Sequence, residues 1–526
     1  MSKRLRRRTS RIWVVPVALG LVFLVMLIAP LVWMFGTMDR ESVEAVFGQE
    51  GLGKILADSV TASVLTTVIS LTLAYPLAWC MVRSRIPCKR LLRLALVLPM
   101  LIPSVSIGMG VVLLGGNNGL LTNLLGIQGS SVYGLTGIVW GSVMYTLPVA
   151  FVMIENILKY EDSAPYEAAR VLGIGKWHRF KAITFPYLRK PMISVAFSVF
   201  TLSFTDYGVP LMVGGKFKTL PMVMYQQVIG QLDFGRGCVY GAILLVPAVI
   251  AFVVDMVNKN TSSSSFVIRP FTVQPDRGRD TAAMLYTLAM VLFSILPILS
   301  FLVLAFVERY PSDMTLTLDN FFKTIRRGGG EYLINSVVIA ALVSVVGVAI
   351  CIVTAYFTAR TFLRSRKYLH LIAMSTGAIP GVVLGLAYVL VFKGSFLYGT
   401  LIILVMVNVV HFFSSPYLMM YTSFSKLNGN LEAVASTLKI SRIRLLFDIL
   451  LPRCARTIAE MACYFFVNCM MTISAVSFLA NTYNKPIALM INQFEAQAQM
   501  EMAAVVSLMI LTINIVVKVV AEREKD

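Results

Sequence analysis

Long apolar runs separated by short basic segments form the dominant pattern along the chain. Runs of about 20 residues, the length needed to cross a bilayer, recur about twelve times. Their centres lie near residues 24, 70, 105, 144, 202, 248, 294, 345, 382, 411, 467 and 510. The first run follows a basic N-terminus without a small-residue cleavage site, so we interpret it as a retained transmembrane helix. The pattern predicts an all-α membrane protein with about twelve transmembrane helices.

The composition and the placement of charge agree with this interpretation. Of the 526 residues, 57% are hydrophobic and only 14% are charged, whereas a soluble domain carries about 25% charged residues. The net charge of +20 would suggest nucleic-acid binding in a polar protein, but here the Lys and Arg residues cluster between the apolar runs. With the N-terminus placed inside, about three quarters of them fall in cytoplasmic segments. This bias predicts that both termini are cytoplasmic and that no nucleic acid is bound.

The chain is predicted to divide into two similar halves. Residues 258–280 form a linker that is rich in Ser, Pro and Gly and lacks apolar periodicity, so the repeats are placed at 1–257 and 281–526. Like residues recur 277 positions apart, namely Ser59 and Ser336, Arg83 and Arg360, and Pro103 and Pro380. Each half holds about six helices, an even number, so the repeats are parallel and not inverted. We expect a transport pathway at their interface.

Motifs for catalysis and metal binding are missing from the sequence. The seven Cys and three His residues are scattered, without the paired spacing of a zinc site. The stretch Gly51-Leu-Gly-Lys54 is followed by Ile and does not complete a P-loop. We therefore expect no metal site, no cofactor bound by this chain and no catalytic residue, and any ATP would be bound by a separate subunit.

A long polar loop in the first half carries the most specific motif. Glu167 opens it, and an acid suits the N-terminus of a short helix. Gly173 permits a sharp change of direction, and Pro186 closes the loop before the next apolar run. The residues of the pattern are Glu167, Ala168, Ala169, Gly173, Ile183 and Pro186.

This pattern closely resembles the EAA loop of binding-protein-dependent ABC importer permeases, EAA-x3-G-x9-I-x-L-P, with Phe185 in place of the usual Leu. The resemblance implies that the loop docks into a groove of an ABC ATPase dimer and transmits its closure to the membrane helices. It also implies a type I importer permease fold in a bacterial cell (inner) membrane. The partners would be an extracytoplasmic solute-binding protein and the ATPase, which would hold the ATP.

A second copy of the motif, at 432–452, is degenerate. Ala433 takes the glutamate position, with Glu432 one residue early, and Lys439 takes the glycine position. The residues carried over to this loop are Glu432, Ile449, Leu451 and Pro452. We therefore expect the two ATPase contacts to be unequal, with the first loop dominant.

Polar residues inside the apolar runs are few and are candidates for the pathway, because a polar group buried in a membrane is costly. Asp206 and Tyr207 lie towards the outer end of the fifth predicted helix. Asn408 and His411 lie three positions apart, on one face of the tenth. Asn468 lies in the eleventh. Helix-packing hydrogen bonds, or for Asp206 simple exposure near the outer interface, explain Asp206 and His411 equally well. Helix packing is the favoured explanation for the two Asn residues.

The arrangement of the whole chain resembles the fused permeases of the ferric-iron, thiamine and 2-aminoethylphosphonate importers. The stretch 203–231 is most similar to the aminoethylphosphonate permeases, so a phosphonate is the expected substrate, with ferric iron or thiamine as alternatives. An ion-coupled secondary transporter is the alternative class, but it has no ATPase for the loop to contact. A membrane-embedded enzyme would need a catalytic cluster that the sequence lacks.

Overall fold

The computed structural model describes residues 14–126, 132–259, 269, 271–361 and 365–523. Within these ranges nearly all regular structure is helical, and one two-stranded hairpin is the exception. The prediction of an all-α membrane fold is confirmed. The domain boundaries at 257 and 281 stay predictions, and residues 260–268 and 270 of the linker lie outside the described residues.

The first half begins with α1, which contains one π-helical turn, Leu24–Ile28. Its helices are α1 Val14–Gly36, α2 Arg40–Phe47, α3 Leu52–Arg83, α4 Lys89–Val97, α5 Ser104–Gly115, α6 Leu120–Leu125, α7 Leu135–Lys159, α8 Ala164–Val171, α9 Lys176–Arg179, α10 Phe185–Phe204, α11 Gly208–Val213, α12 Leu220–Tyr225 and α13 Phe234–Lys259. Further π-helical turns, Phe180–Thr184 and Gln226–Gly230, join α9 to α10 and extend α12.

The second half repeats this order and adds an antiparallel hairpin, β1 Val307–Arg309 and β2 Asp313–Leu316. Its helices are α14 Arg277–Phe306, α15 Asp319–Thr324, α16 Gly330–Ala359, α17 Arg366–Ser375, α18 Gly381–Phe392, α19 Leu401–His411, α20 Ser414–Lys426, α21 Leu431–Thr437, α22 Arg442–Leu445, α23 Leu451–Arg453, α24 Ala455–Met471, α25 Leu489–Ala496 and α26 Met500–Arg523. The π-helical turns here are Ile325–Gly329 and Leu446–Leu450.

Among the described residues, eight helical stretches are long and apolar enough to cross a membrane, and up to ten if two bent pairs count as single spans. The bent pairs are α17 with α18, at 106°, and α19 with α20, at 55°. The two other predicted spans fall on α10 and α24, which start with charged residues such as Arg189 and Arg456. All twelve predicted segments are therefore helical, but length and composition support eight to ten spans and not twelve.

Several buried hydroxyl groups in α3 are satisfied inside the helix itself, although Thr66 Oγ1 has no hydrogen-bond partner among the described residues. Ser63 Oγ donates to the Ser59 carbonyl at 2.8 Å, and Thr67 Oγ1 donates to the Ser63 carbonyl at 2.7 Å. A bilayer offers no water as a partner, so such bonds to the preceding turn let polar residues stay in an apolar helix.

One tertiary hydrogen bond recurs in both halves. Ser59 Oγ accepts the backbone N–H of Leu220 at 2.8 Å, and Ser336 Oγ accepts the backbone N–H of Ile487 at 2.7 Å. Ser59 and Ser336 occupy the same position of α3 and α16, 277 residues apart. The repeat read from the sequence is therefore also a repeat of tertiary contacts.

The first helix of each half packs against the other half. Tyr388 in α18 donates its hydroxyl to the Met26 carbonyl of α1 at 2.6 Å. Tyr286 in α14 donates to the Leu73 carbonyl of α3 at 3.0 Å. A Cβ on Gly110 in α5 would lie 2.7 Å from the Cβ of Pro297 in α14, so these two helices touch backbone to backbone. The halves are thus intertwined.

Gly110→Ala should lower the stability of the purified protein, because the new methyl group forces α5 and α14 apart. Overpacking of this kind costs about 1–3 kcal/mol, and the readout is the midpoint of thermal unfolding in detergent. The matched control is Gly20→Ala in α1, where an added Cβ meets nothing within 4 Å. Equal midpoints for the two variants would contradict the close packing of α5 on α14.

Candidate functional site

A cavity of about 460 Å³ lies between the two halves. The first half contributes residues of α5, α7, α10 and α13, and the second contributes residues of α18, α19, α20 and α24. Its polar lining consists of Ser104, Tyr145, Ser198, Thr201, Thr205, Asp206, Tyr207, Asp255, His411, Ser414, Ser415, Tyr464, Asn468, Thr472 and Ser474. An internal polar cavity at the interface of two repeats is where transporters hold their substrate.

Helices α5 and α18 both begin at the cavity and make the same close contact, but the glycine and the serine of the contact are exchanged between the two halves. A Cβ on Gly208 would lie 2.3 Å from Ser104 Oγ, and a Cβ on Gly381 would lie 2.3 Å from Ser474 Oγ. Ser104 and Gly381 hold the same repeat position. Each half therefore keeps one Gly and one Ser at this contact, which leaves no room for a larger side chain on the glycine.

Asp206 lies just after α10 and is held in place by three donors. Its carboxylate accepts the Ser104 hydroxyl at 2.6 Å and the backbone N–H groups of Val209 at 3.0 Å and Gly208 at 3.3 Å. Asp206 therefore both caps α11 and brings a carboxylate to the cavity.

Asp255 in α13 is a second acid of the lining, and it was missed in the sequence. Its carboxylate accepts a hydrogen bond from the Ser194 hydroxyl. The signal that could have identified it is an acidic residue within an apolar run, the same signal that identified Asp206. Among the described lining residues there is no Lys and no Arg, so the charge of the cavity is carried by these two carboxylates.

Four of the five predicted pathway residues line the cavity. Asp206, Tyr207, His411 and Asn468 do so, whereas Asn408 does not. Asn408 is buried and donates to the Leu404 carbonyl of its own helix at 2.8 Å. His411 Nδ1 is buried and has no hydrogen-bond partner among the described residues. Asn408 and His411 share a face of α19, but only His411 lines the cavity. His411 is the last residue of α19, directly before the 55° bend to α20.

Aromatic side chains join the halves beside Asp206. The ring of Tyr207 stacks on Tyr225 at a centroid distance of 4.6 Å, and Tyr225 lies 6.1 Å from Phe478 of the second half. The hydroxyl groups of Tyr207 and Ser477 are 3.1 Å apart and share a hydrogen bond. This end of the cavity is therefore packed by side chains from both repeats.

The first loop, residues 160–186, places the motif residues on a helix-turn-helix. Glu167 is exposed in the first turn of α8, and its carboxylate accepts the Ser163 hydroxyl at 2.9 Å. Gly173 ends the turn with φ of +67°, and Ile174 N–H donates to the Ala169 carbonyl at 2.9 Å. Ala169 is buried against the loop, while Ala168 is exposed, Ile183 is half-buried and Pro186 is exposed.

The second loop, residues 427–452, has the same backbone geometry despite its different sequence. Lys439, in the glycine position, also adopts a left-handed conformation with φ of +57°, and Ile440 N–H donates to the Ala435 carbonyl at 2.8 Å. The helices and π-helical turns that follow begin 266 positions apart in the two loops. Ile449 and Leu451 are half-buried and Pro452 is exposed. The loss of the glycine did not change the turn.

The acids of the two loops have different partners. Arg83, at the end of α3, pairs with Glu161, and Glu161 also accepts the Tyr166 hydroxyl. Burial and this hydrogen bond raise the pKa of Tyr166, so it remains a donor. Arg360, at the end of α16, instead pairs with Glu432 itself, at 2.6 Å from its Nε and 2.5 Å from its Nη2. Glu432 is thus held by its own half, whereas Glu167 is exposed.

Both loops present apolar side chains to the outside. In the first, Leu172 is 74% exposed and Trp177 is 63% exposed, and the Trp177 ring stacks on Phe180. At the corresponding positions of the second, Leu438 is 64% exposed and Ile443 is 72% exposed. Apolar patches within polar loops are typical of protein-binding surfaces.

Two intertwined repeats, a polar cavity between them and a pair of exposed loops at one face define a multi-pass membrane transport subunit. The chain matches the family described as "Binding-protein-dependent transport system inner membrane component" twice, over residues 70–266 and 347–523. These matches cover more than half of the chain, and the protein belongs to this family. Its resemblance to a fused two-half permease is thereby confirmed.

Similar proteins with assigned transport systems include several permeases. The ferric transport system permease protein FbpB of Actinobacillus pleuropneumoniae is 25% identical, over 84% of this chain and 67% of the relative. The thiamine transport system permease protein ThiP of Escherichia coli is 26% identical, over 44% of this chain and 45% of the relative. The molybdenum transport system permease protein ModB of Azotobacter vinelandii is 30% identical, over 31% of this chain and 75% of the relative.

Lys439→Gly should stabilise the protein by about 1 kcal/mol, because glycine adopts a positive φ without the Cβ clash that Lys carries. Gly173→Ala should destabilise it by a similar amount. Thermal unfolding midpoints of the purified variants measure both effects. Gly175→Ala is the control, since Gly175 has φ of −64° and an added Cβ there meets nothing within 4 Å. A lower midpoint for Lys439→Gly would contradict this account of the turn.

Proposed function

We propose that this chain is the membrane-spanning permease of an ATP-driven importer of ferric iron. An ABC ATPase dimer docks on the two loops and holds the ATP. A solute-binding protein delivers the substrate at the opposite face. Both termini lie on the cytoplasmic side. Support for this assignment comes from the family membership and from the similarity to ferric permeases along most of the chain.

The charge of the cavity carries the substrate assignment. Asp206 and Asp255 supply two carboxylates, and the tyrosine and serine hydroxyl groups supply further oxygen donors. Oxygen ligands suit hard cations. A cavity lined by one sign of charge raises the local concentration of the opposite ion.

A phosphonate, the substrate expected from the stretch 203–231, fits this cavity poorly. Its negative charge would be repelled by both carboxylates, and the described lining offers no Lys or Arg to pair with it. The relatives named above do not support a phosphonate either.

A helical path connects each loop to the cavity, unbroken in the first half and interrupted by a turn at Cys454 in the second. In the first half, α9 runs through its π-helical turn into α10, which carries Ser198 and Thr201 of the lining and ends beside Asp206. In the second half, α22 leads through α23 to α24, which carries Asn468. A helix transmits displacement because its backbone hydrogen bonds resist compression. Movement of the loops by the ATPase would therefore move the walls of the cavity.

Reconstituted with its ATPase and a loaded binding protein, the wild-type protein should take up radioactive ferric iron only when ATP is present. Asp206→Asn and Asp255→Asn should each reduce the initial uptake rate about tenfold, or about 1.4 kcal/mol, because each removes a charge from a low-dielectric cavity. The matched control is Asp313→Asn on the exposed hairpin.

Three results would contradict this proposal. Unchanged uptake in both cavity variants would remove the carboxylates from the pathway. ATP-dependent uptake of thiamine or 2-aminoethylphosphonate in place of iron would assign a different substrate, and uptake driven by an ion gradient without the ATPase would assign a different class of transporter.

The exposed acid of the first loop should matter for coupling, and the paired acid of the second loop should matter for stability. Glu167→Ala should reduce transport per ATP hydrolysed and leave the unfolding midpoint unchanged. Glu432→Ala leaves Arg360, whose side chain is only 5% exposed, without its carboxylate, and loss of one partner of a buried pair costs about 3–5 kcal/mol. Glu432→Gln, which keeps a hydrogen-bond acceptor, should recover part of that loss. Equal coupling defects with equal midpoints in the two Ala variants would refute the inequality of the loops.

A further inference from the structure

The linker between the two halves lies against the first loop. The backbone N–H of Ser163 donates to the carbonyl of Arg269 at 2.9 Å, and the backbone N–H of Arg269 donates to the Asp162 carboxylate at 3.2 Å. Asp162 also accepts the backbone N–H of Ala164 at 3.1 Å, at the start of α8. The linker is therefore bonded to the residues that begin the loop helix.

Phe271 covers the ion pair that anchors this loop. The guanidinium carbon of Arg83 lies 3.2 Å from the centre of the Phe271 ring, and the Tyr166 ring packs edge-on against it at 5.1 Å. Tyr166 and Arg83 are the two partners of Glu161. An aromatic ring over a guanidinium attracts the cation and keeps water away from the pair, and both effects strengthen it.

Arg85, two residues after the end of α3, holds the other side of the linker. Arg85 Nε donates to the Val273 carbonyl at 2.9 Å, and the Arg85 backbone N–H donates to the Asp280 carboxylate at 3.0 Å. Asp276 caps α14 by accepting the Arg279 N–H at 3.1 Å. Residues 271–276 thus connect the end of α3 with the start of the second half, and they are not a free tether.

A short chain of bonds leads from the linker to the motif glutamate. Arg269 fixes the backbone of Ser163, and the Ser163 hydroxyl donates to the Glu167 carboxylate at 2.9 Å. Ser163 is buried, so its rotamer depends on the contacts around it. A displacement of the linker would release Ser163 and with it the orientation of Glu167.

The second loop achieves the same anchoring without a linker. Arg360 donates to the carbonyls of Leu427 at 2.9 Å and Asn428 at 2.9 Å, in addition to its pair with Glu432. Asn428 holds the position that corresponds to Asp162. Among the described residues, its side chain accepts the backbone N–H of Asn430 at 2.9 Å and makes no other hydrogen bond. The bracing of a loop by residues 269 and 271–276 is therefore specific to the first half.

We propose that the linker is an internal clamp that positions the first ATPase-coupling loop, with Phe271 and Arg269 as its positioning residues. The connection between the two halves is then part of the coupling machinery as well as a covalent link. The proposal rests on the proposed function, since it assigns the first loop to an ATPase.

The test uses the full permease reconstituted with its ATPase and loaded binding protein, and measures substrate transported per ATP hydrolysed. Phe271→Ala should lower this ratio at least threefold, and Phe271→Trp, which keeps an aromatic ring over Arg83, should restore it. Phe396→Ala, at a ring that is 87% exposed, is the control and should leave the ratio unchanged. A ratio for Phe271→Ala equal to wild type would overturn the clamp.

A second pair of variants separates the clamp from simple turn capping. Asp162→Ala removes both the turn bond to Ala164 and the linker bond to Arg269, whereas Asn428→Ala removes only the turn bond to Asn430. A larger loss of coupling for Asp162→Ala supports the clamp, and equal losses overturn it. If the wild-type protein shows no ATPase-dependent transport at all, the proposed function fails. If the wild-type protein transports and the variants keep its ratio of transport to ATP hydrolysis, only the clamp fails.

Discussion

Two nearly buried guanidinium groups attach the loops to the membrane helices. Arg83 and Arg360 lie at the ends of α3 and α16, and their side chains are only 11% and 5% exposed. A buried charge without a partner costs several kcal/mol, so each arginine requires acceptors at a defined position. Glu161 supplies the carboxylate in one half and Glu432 supplies it in the other, so each loop is held against its arginine. The geometry of both loops, and of the helices that run from them to the cavity, follows from this requirement.

The halves satisfy the same requirement in different ways, and the difference leaves different acids exposed. Arg360 takes its acceptors from within its own loop, and its carboxylate partner is Glu432, the acid nearest to the motif position. Arg83 uses an earlier acid and is covered by Phe271 of the linker. Glu167 therefore stays exposed and oriented through Ser163. A duplicated fold has become two unequal loops, and the sequence between the halves contributes to the inequality.

Much of this organisation could be predicted from local sequence. Apolar length is a strong signal, so all twelve predicted segments are helical. The offset of 277 placed Ser59 and Ser336 at equivalent positions, and the structure shows that both make the same hydrogen bond, because repeated sequences fold into repeated contacts. The turn at Gly173 followed from its residue type. The same reasoning treated Lys439 as a departure, although the hydrogen bonds around the turn hold it in the left-handed conformation.

Local patterns along the chain were enough to predict the class of protein, its two repeats and the position of its loops, since these depend on hydrophobic length, spacing and residue type. Tertiary structure alone decided which polar residues face the cavity and which partner each charge has. Asp255 lines the cavity and Asn408 does not, and Arg83 meets Phe271, which lies 188 positions further along the chain. These outcomes depend on how helices distant in sequence pack against one another, and no local pattern encodes that packing.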